Sequence, residues 1–118
     1  MNWMDLTNEF ELDMIKASSN QKPQLIFKHS TRCSISSMAK NRLERSLQPE
    51  GIDFHFLDLI KHRQLSNKIA EDFAVYHESP QILLIKNGEC VYDESHSGID
   101  MNDILEQVAL NWTNPILI

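Results

Sequence analysis

Cysteine is scarce in this chain, with two in 118 residues, Cys33 and Cys90. That excludes a disulfide scaffold, in which several paired thiols stand in for a core. Glycine (three) and proline (four) are equally sparse, so collagen-like, flexible-linker and proline-rich disordered classes are excluded as well. No apolar run approaches the roughly 18 residues of a membrane-spanning helix. Positive charge is the minority sign: 11 Lys+Arg against 17 Asp+Glu leave a formal net charge of −6. This argues against a broad electrostatic footprint for nucleic acid or a membrane surface. The opening Met1-Asn2-Trp3-Met4-Asp5 has neither the basic nor the apolar stretch of a secretory leader. A cytoplasmic, reducing setting is therefore expected, where a thiol is free, metal-bound or redox-active more often than bridged.

What is present is a core-forming composition, 42% hydrophobic and 24% charged. Length, the absence of internal repeats and the absence of a linker predict a single domain over 1–118. Leu6, Phe10, Met14 and Ile15 recur at helical spacing before the loop Ser18-Ser19-Asn20-Gln21-Lys22-Pro23. Gln24-Leu25-Ile26-Phe27-Lys28-His29 reads as a largely buried strand. Ser30-Thr31-Arg32 is a polar turn, and Ile35, Met38, Ala39, Arg42, Leu43 and Leu47 form a helical stripe stopped before Pro49 and Gly51. Residues 52–58 are strand-like, and Leu65, Ile69, Phe73 and Ala74 return to helical spacing. After Ser79-Pro80, residues 81–86 and 89–93 flank Asn87-Gly88, the strongest short hairpin signal because both turn positions need positive φ. Asp100 suits the N-cap of a last helix carrying Ile104, Leu105, Val108 and Trp112, which Pro115 ends.

A strand–helix–strand crossover followed by a hairpin predicts a mixed four-stranded sheet with helices on both faces, the thioredoxin-like α/β arrangement. In that arrangement the residue opening the helix after the first core strand lies at the carboxyl edge of the sheet, where α/β proteins place their sites. Cys33 occupies it. Free N–H groups and the positive end of the helix dipole there favour a thiolate. Arg32 and Lys28 add positive charge, and the hydroxyls of Ser34 and Ser36 are expected to donate to the sulfur. Cys33-Ser34-Ile35-Ser36 is C-x-x-S, so the resolving thiol of a dithiol oxidoreductase is missing. A monothiol attacks a mixed disulfide, carries away the small-thiol half and is reset by an external thiol. Pro80, just before the hairpin, is expected to be cis and packed against Cys33. Ser79 would then offer its backbone to an extended ligand.

The stretch Phe27-Lys28-His29-Ser30-Thr31-Arg32-Cys33-Ser34-Ile35-Ser36, with Glu78-Ser79-Pro80-Gln81, resembles the YtxJ family of monothiol bacilliredoxins. Members typically read T-C-P-I-S around the cysteine, so Cys33, Ile35 and Ser36 match while Ser34 replaces the usual proline. The resemblance implies an enzyme that removes bacillithiol from S-thiolated client proteins, with bacillithiol as a co-substrate thiol and no bound cofactor. Bacillithiol carries two carboxylates on its malate unit, for which Lys28, Arg32 or Lys40 offer charge-assisted contacts. Thr31, Ser79 and Pro80 complete the expected substrate surface.

Two other readings stay open: a glutaredoxin-like monothiol protein acting on another small thiol, and a redox-inactive thioredoxin-like interaction module. Cys90, mid-strand in the hairpin, reads as a small apolar filler. His29, His55 and His62 fit no zinc template with the cysteines, so no metal site is expected. Lys61-His62-Arg63 reads as a solvated loop or helix start, and Trp3 and Trp112 as packing anchors. For the apolar tail Pro115-Ile116-Leu117-Ile118, inward packing and a dimer contact are both open.

Overall fold

A computed structural model describes residues 1–112; the tail 115–118, with Pro115 as helix terminator, lies outside the described residues. The elements run β1 (Met4–Asp5), α1 (Glu9–Ser18), β2 (Gln24–His29), α2 (Ser34–Arg45), β3 (Asp53–Asp58), α3 (Arg63–Phe73), β4 (Gln81–Lys86), β5 (Glu89–Ser95), a 3-10 turn (His96–Gly98) and α4 (Met101–Trp112).

The sheet order is β1-β3-β2-β4-β5. β2 pairs parallel with β3 and antiparallel with β4, and β4 pairs antiparallel with β5. Period-2 alternation along the central strand divides the core. Leu25 and Phe27 join Phe54, Ile82 and Leu84 under Ala39 and Leu43 of α2 and Met101 and Ile104 of α4. Ile26 joins Leu57, Leu83 and Ile85 under Leu12 and Ile15 of α1 and Leu65, Ile69 and Phe73 of α3. Both faces of β2 are thus covered, and all six of its residues are buried.

Several expectations are corrected. The sheet has five strands, not four, because Met4 and Asp5 add a parallel edge to β3, extended by Leu6 N–H donating to the Phe56 carbonyl at 2.9 Å. Two residues carry no periodicity to read. Helix α1 starts at Glu9, not near Leu6, since the Asn8 side chain accepts from Glu11 N–H at 2.8 Å while the Glu11 carboxylate takes Thr7 N–H and Oγ1–H at 2.9 and 2.6 Å. This reciprocal cap fixes the start. Packing on the sheet turns Leu12 and Ile15 inward, leaving Phe10 and Met14 exposed. Similarly α2 buries Ala39 and Leu43 while Ile35 and Met38 face solvent, and exposed Leu47 lies beyond its end. Ala74 is the left-handed residue that ends α3, not part of its stripe.

The hairpin forms as read, with Asn87 and Gly88 at φ +52° and +76° and Lys86 paired with Glu89. The Ser79–Pro80 bond is cis. Asp100 stands directly before α4, its carbonyl accepting from Ile104 N–H at 3.1 Å. Trp3 stacks on Phe27, with centroids 5.5 Å apart, and Trp112 packs against the same core.

Candidate active site

β2 ends at His29, and the chain turns through Ser30, Thr31 and Arg32 into α2. Cys33 is the N-cap of that helix: its N–H donates to the Ser30 carbonyl at 3.1 Å and its carbonyl accepts from Ser37 N–H at 3.2 Å. Its backbone is thereby held while its side chain makes no capping bond. The thiol is unbridged and half-buried, and among the described residues no side chain hydrogen-bonds its sulfur. Thr31, Arg32 and Ser34 form an exposed rim around it.

Ser36 was expected to point its hydroxyl at the sulfur; instead it is fully buried. Its Oγ accepts from Ser30 N–H at 3.2 Å and lies 3.4 Å from Ser79 Oγ. The hydroxyl therefore ties three pieces together: the end of β2, the first turn of α2 and the segment before β4. That segment is anchored again at Pro80, whose carbonyl accepts from His96 N–H at 3.0 Å. His96 takes the left-handed φ of +55°, and its Nε2 lies 3.5 Å from a Glu78 carboxylate oxygen. Arg42 of α2 donates to the carbonyls of His96 at 2.9 Å and Ile99 at 3.2 Å. The Cys33 helix is thus tied to the segment before β4 through Ser36 and Ser79, 43 residues apart in sequence.

Lys28 is the main correction. It was expected to add positive charge near the Cys33 sulfur and to meet substrate carboxylates; it is completely buried on the α1/α3 face of β2. Its ammonium donates to the Ser66 carbonyl at 3.1 Å and lies 3.3 Å from His77 Nδ1. Burial pushes the ammonium down to about 8. Lys40 is bound to its own helix surroundings, 3.5 Å from Glu44 and over the Phe56 ring.

Sequence reasoning gave no role to His29 or Glu78 and missed His77 and His96. His29 is 5% exposed with Nδ1 buried and unpaired, its ring 5.2 Å from that of Phe56. Desolvation first, then the Lys40 charge, holds it below the ordinary histidine range. The available signal was Lys28-His29 closing an otherwise apolar buried strand, since a buried charge demands partners from elsewhere. Cys90 contrasts with Cys33: on β5 it packs against the α1/α3 core, its thiol meets the Tyr92 carbonyl at 3.3 Å, and burial pushes it up to about 11. Among the described residues, no group of three or more His, Cys, Asp or Glu is placed to hold a metal, and no helix is long and apolar enough to cross a membrane.

This sheet order, with a cysteine capping the helix after the central strand and a cis-proline opening the hairpin, defines the thioredoxin fold. Solved structures agree. One, described as a candidate oxidoreductase with a thioredoxin fold, is 28% identical over 88% of this chain and 91% of its own, with a TM-score of 0.77. The thioredoxin of Malassezia sympodialis, at 14% identity over 92% of this chain and 90% of its own, superimposes with a TM-score of 0.71. A mutant thioredoxin from Halobacterium salinarum, at 17% identity over 94% and 90%, gives 0.68. Within that class the chain belongs to the monothiol bacilliredoxin BrxC family, whose profile matches residues 4–104. It is therefore a thiol-redox protein on a thioredoxin fold.

Proposed function

We propose that this protein is a monothiol thiol–disulfide oxidoreductase that removes bacillithiol from S-bacillithiolated proteins in the reducing cytoplasm. The observation that supports this most directly is the setting of Cys33, a half-exposed N-cap of the helix that Ser36 ties to Ser79, with no second thiol in its C-x-x-S turn. Bacillithiol as the small thiol follows from the family to which the chain belongs.

The chemistry is two thiol–disulfide exchanges. The Cys33 thiolate attacks the bacillithiol sulfur of the protein–bacillithiol disulfide, forming a Cys33–bacillithiol disulfide. The old S–S bond breaks, and the client leaves as a thiolate that takes a proton from water. A second small thiol, as thiolate, then attacks that same bacillithiol sulfur, regenerates Cys33 and leaves as a disulfide with bacillithiol. Electrons are supplied by that external thiol, and no bound cofactor or metal takes part. The N–H groups opening α2 and the exposed Arg32 attract the bacillithiol carboxylates. Thr31 and Ser34 offer hydroxyls on the rim, Ser36 positions Ser79, and the Ser79 backbone receives the extended client beside Pro80.

Intact mass after exposure to oxidised bacillithiol, and separately to oxidised glutathione, tests the reading. One bacillithiol adduct, absent from Cys33→Ser and formed much faster than any glutathione adduct, is expected. Absence of either adduct overturns the enzyme reading in favour of an interaction module. Glutathione alone replaces bacillithiol with another small thiol.

A further inference from the structure

A lysine with its side chain wholly inside a protein is expensive to keep, because an ammonium loses its hydration there. Among the described residues Lys28 meets no carboxylate to offset that loss, and its ammonium contacts are the Ser66 carbonyl and His77 Nδ1. A methionine of the same length would fill this apolar position, between strand β2 and helix α3, without any such loss. What the ammonium touches is therefore informative. His77 begins the segment His77-Glu78-Ser79-Pro80, which leads to the Cys33 helix through Ser79 and Ser36. Lys28 is also the registered partner of Gln81, whose amide donates to the Tyr76 carbonyl at 2.8 Å and whose side-chain oxygen accepts from Glu78 N–H at 3.4 Å. Two adjacent side chains on paired strands thus hold the same segment from beneath, one by an amide and one by a charge.

We infer that Lys28 is a positioning residue for thiol exchange at Cys33: by fixing His77 it sets the 77–80 segment whose Ser79 backbone receives the disulfide substrate. The inference rests on the functional reading above and adds the interior group that holds the receiving backbone. The contact needs His77 neutral, with Nδ1 accepting and the proton on Nε2. Burial, then the charges of Lys28 and of Arg63 on α3, keep His77 below the ordinary histidine range, while Glu78 on its own segment acts in the opposite direction. Ser66 of α3 also meets His77 Nδ1, at 3.3 Å, and Glu78 is in turn held by His96. As pH falls through the His77 titration, Nδ1 gains a proton that faces the Lys28 ammonium, and the contact is lost.

The test is single-turnover exchange between the protein and a peptide linked to bacillithiol by a disulfide, followed by quenched-flow mass spectrometry over a range of peptide concentrations. Lys28→Met is expected to raise the half-saturating peptide concentration by about tenfold, the scale of one lost charge-assisted contact. The limiting rate should change little, and the melting temperature should be unchanged or higher. His77→Leu should show the same rise, and the double variant no more than either alone. In wild type the half-saturating concentration should climb as pH is lowered through the His77 titration, followed by its ring nitrogen shifts, and in Lys28→Met it should not. Unchanged half-saturation in both single variants overturns the inference, as does additivity between them. Should Lys28→Met fail to fold, His77→Leu and the wild-type pH dependence decide the matter alone. A folded wild type inert to the peptide would overturn the functional reading itself; a reactive wild type with indifferent variants overturns only the role of Lys28.

Discussion

The two cysteines of this chain are the same group in two settings. Cys33 caps α2 at the carboxyl edge of the sheet, half-exposed, with a polar turn before it and Ser36 of its helix meeting Ser79. Cys90 sits on β5 with its thiol turned into the α1/α3 core and its S–H spent on a local carbonyl. A thiol becomes useful where backbone N–H groups point outward and solvent can bring a disulfide, and inert where apolar neighbours disfavour its charge. The structural lesson is that the reactive position is made by the junction of elements, not by the residue.

The sharpest way to break this contrast is to exchange the thiols for hydroxyls. Cys33→Ser should abolish adduct formation with oxidised bacillithiol completely, and Cys90→Ser should leave it intact, as read by intact mass. An adduct surviving in Cys33→Ser would move the nucleophile elsewhere.

Alkylation should divide the cysteines next. With the Cys90 thiol pushed up to about 11, roughly one thousandth of it is thiolate at pH 8. Iodoacetamide at that pH should label Cys33 and spare Cys90, with Cys90 labelling rising tenfold per pH unit until about 11. The same shift has a consequence for stability. The folded state keeps the Cys90 proton to a higher pH than the unfolded chain, so its contribution is intact below the unfolded thiol range and is lost as pH rises from there toward 11. Denaturant melts of wild type against Cys90→Ala from pH 8 to 10.5 should show the wild-type advantage shrinking.

Removing the support beneath Cys33 should weaken the protein as a whole. Leu43 is fully buried where α2 meets the sheet, and Leu43→Ala should cost about 3 kcal/mol in urea unfolding. The exposed Met38 on the same helix should cost less than about 0.5 kcal/mol as Met38→Ala. Equal effects would mean that α2 packs on another face. Ser36→Ala should fall between these two, at about 1 kcal/mol for the lost Ser30 N–H bond, with a several-fold slower adduct reaction because Ser79 loses its tie to α2. Normal reactivity there would show that Cys33 needs no such tie.

Much of this was open to reading in one dimension. Asn87-Gly88 forced the hairpin because few other residue pairs accept two positive φ values. Cys33 after a buried strand and a polar turn had to open a helix. What stayed hidden has common physical causes. β1 is too short for a period. The start of α1 was set by the Thr7-Asn8-Glu11 cap and its inward face by packing on the sheet, so Phe10 and Met14 went outside. Lys28 is polar, and polar residues are assigned to the surface by default; only the placement of Ser66 and His77, 38 and 49 residues away, gives its ammonium a place inside.

The sequence alone determined the order of elements, the hairpin and which cysteine stands at a helix start, because those depend on φ preferences, caps and periodicities within a few residues. The tertiary structure alone decided which way Lys28 and Ser36 face, that His77 meets Lys28 and Ser66, and that Ser79 meets the Cys33 helix at Ser36. Burial and long-range hydrogen bonds are properties of what the folded chain brings alongside a residue, and the residue's own neighbours in sequence do not contain them.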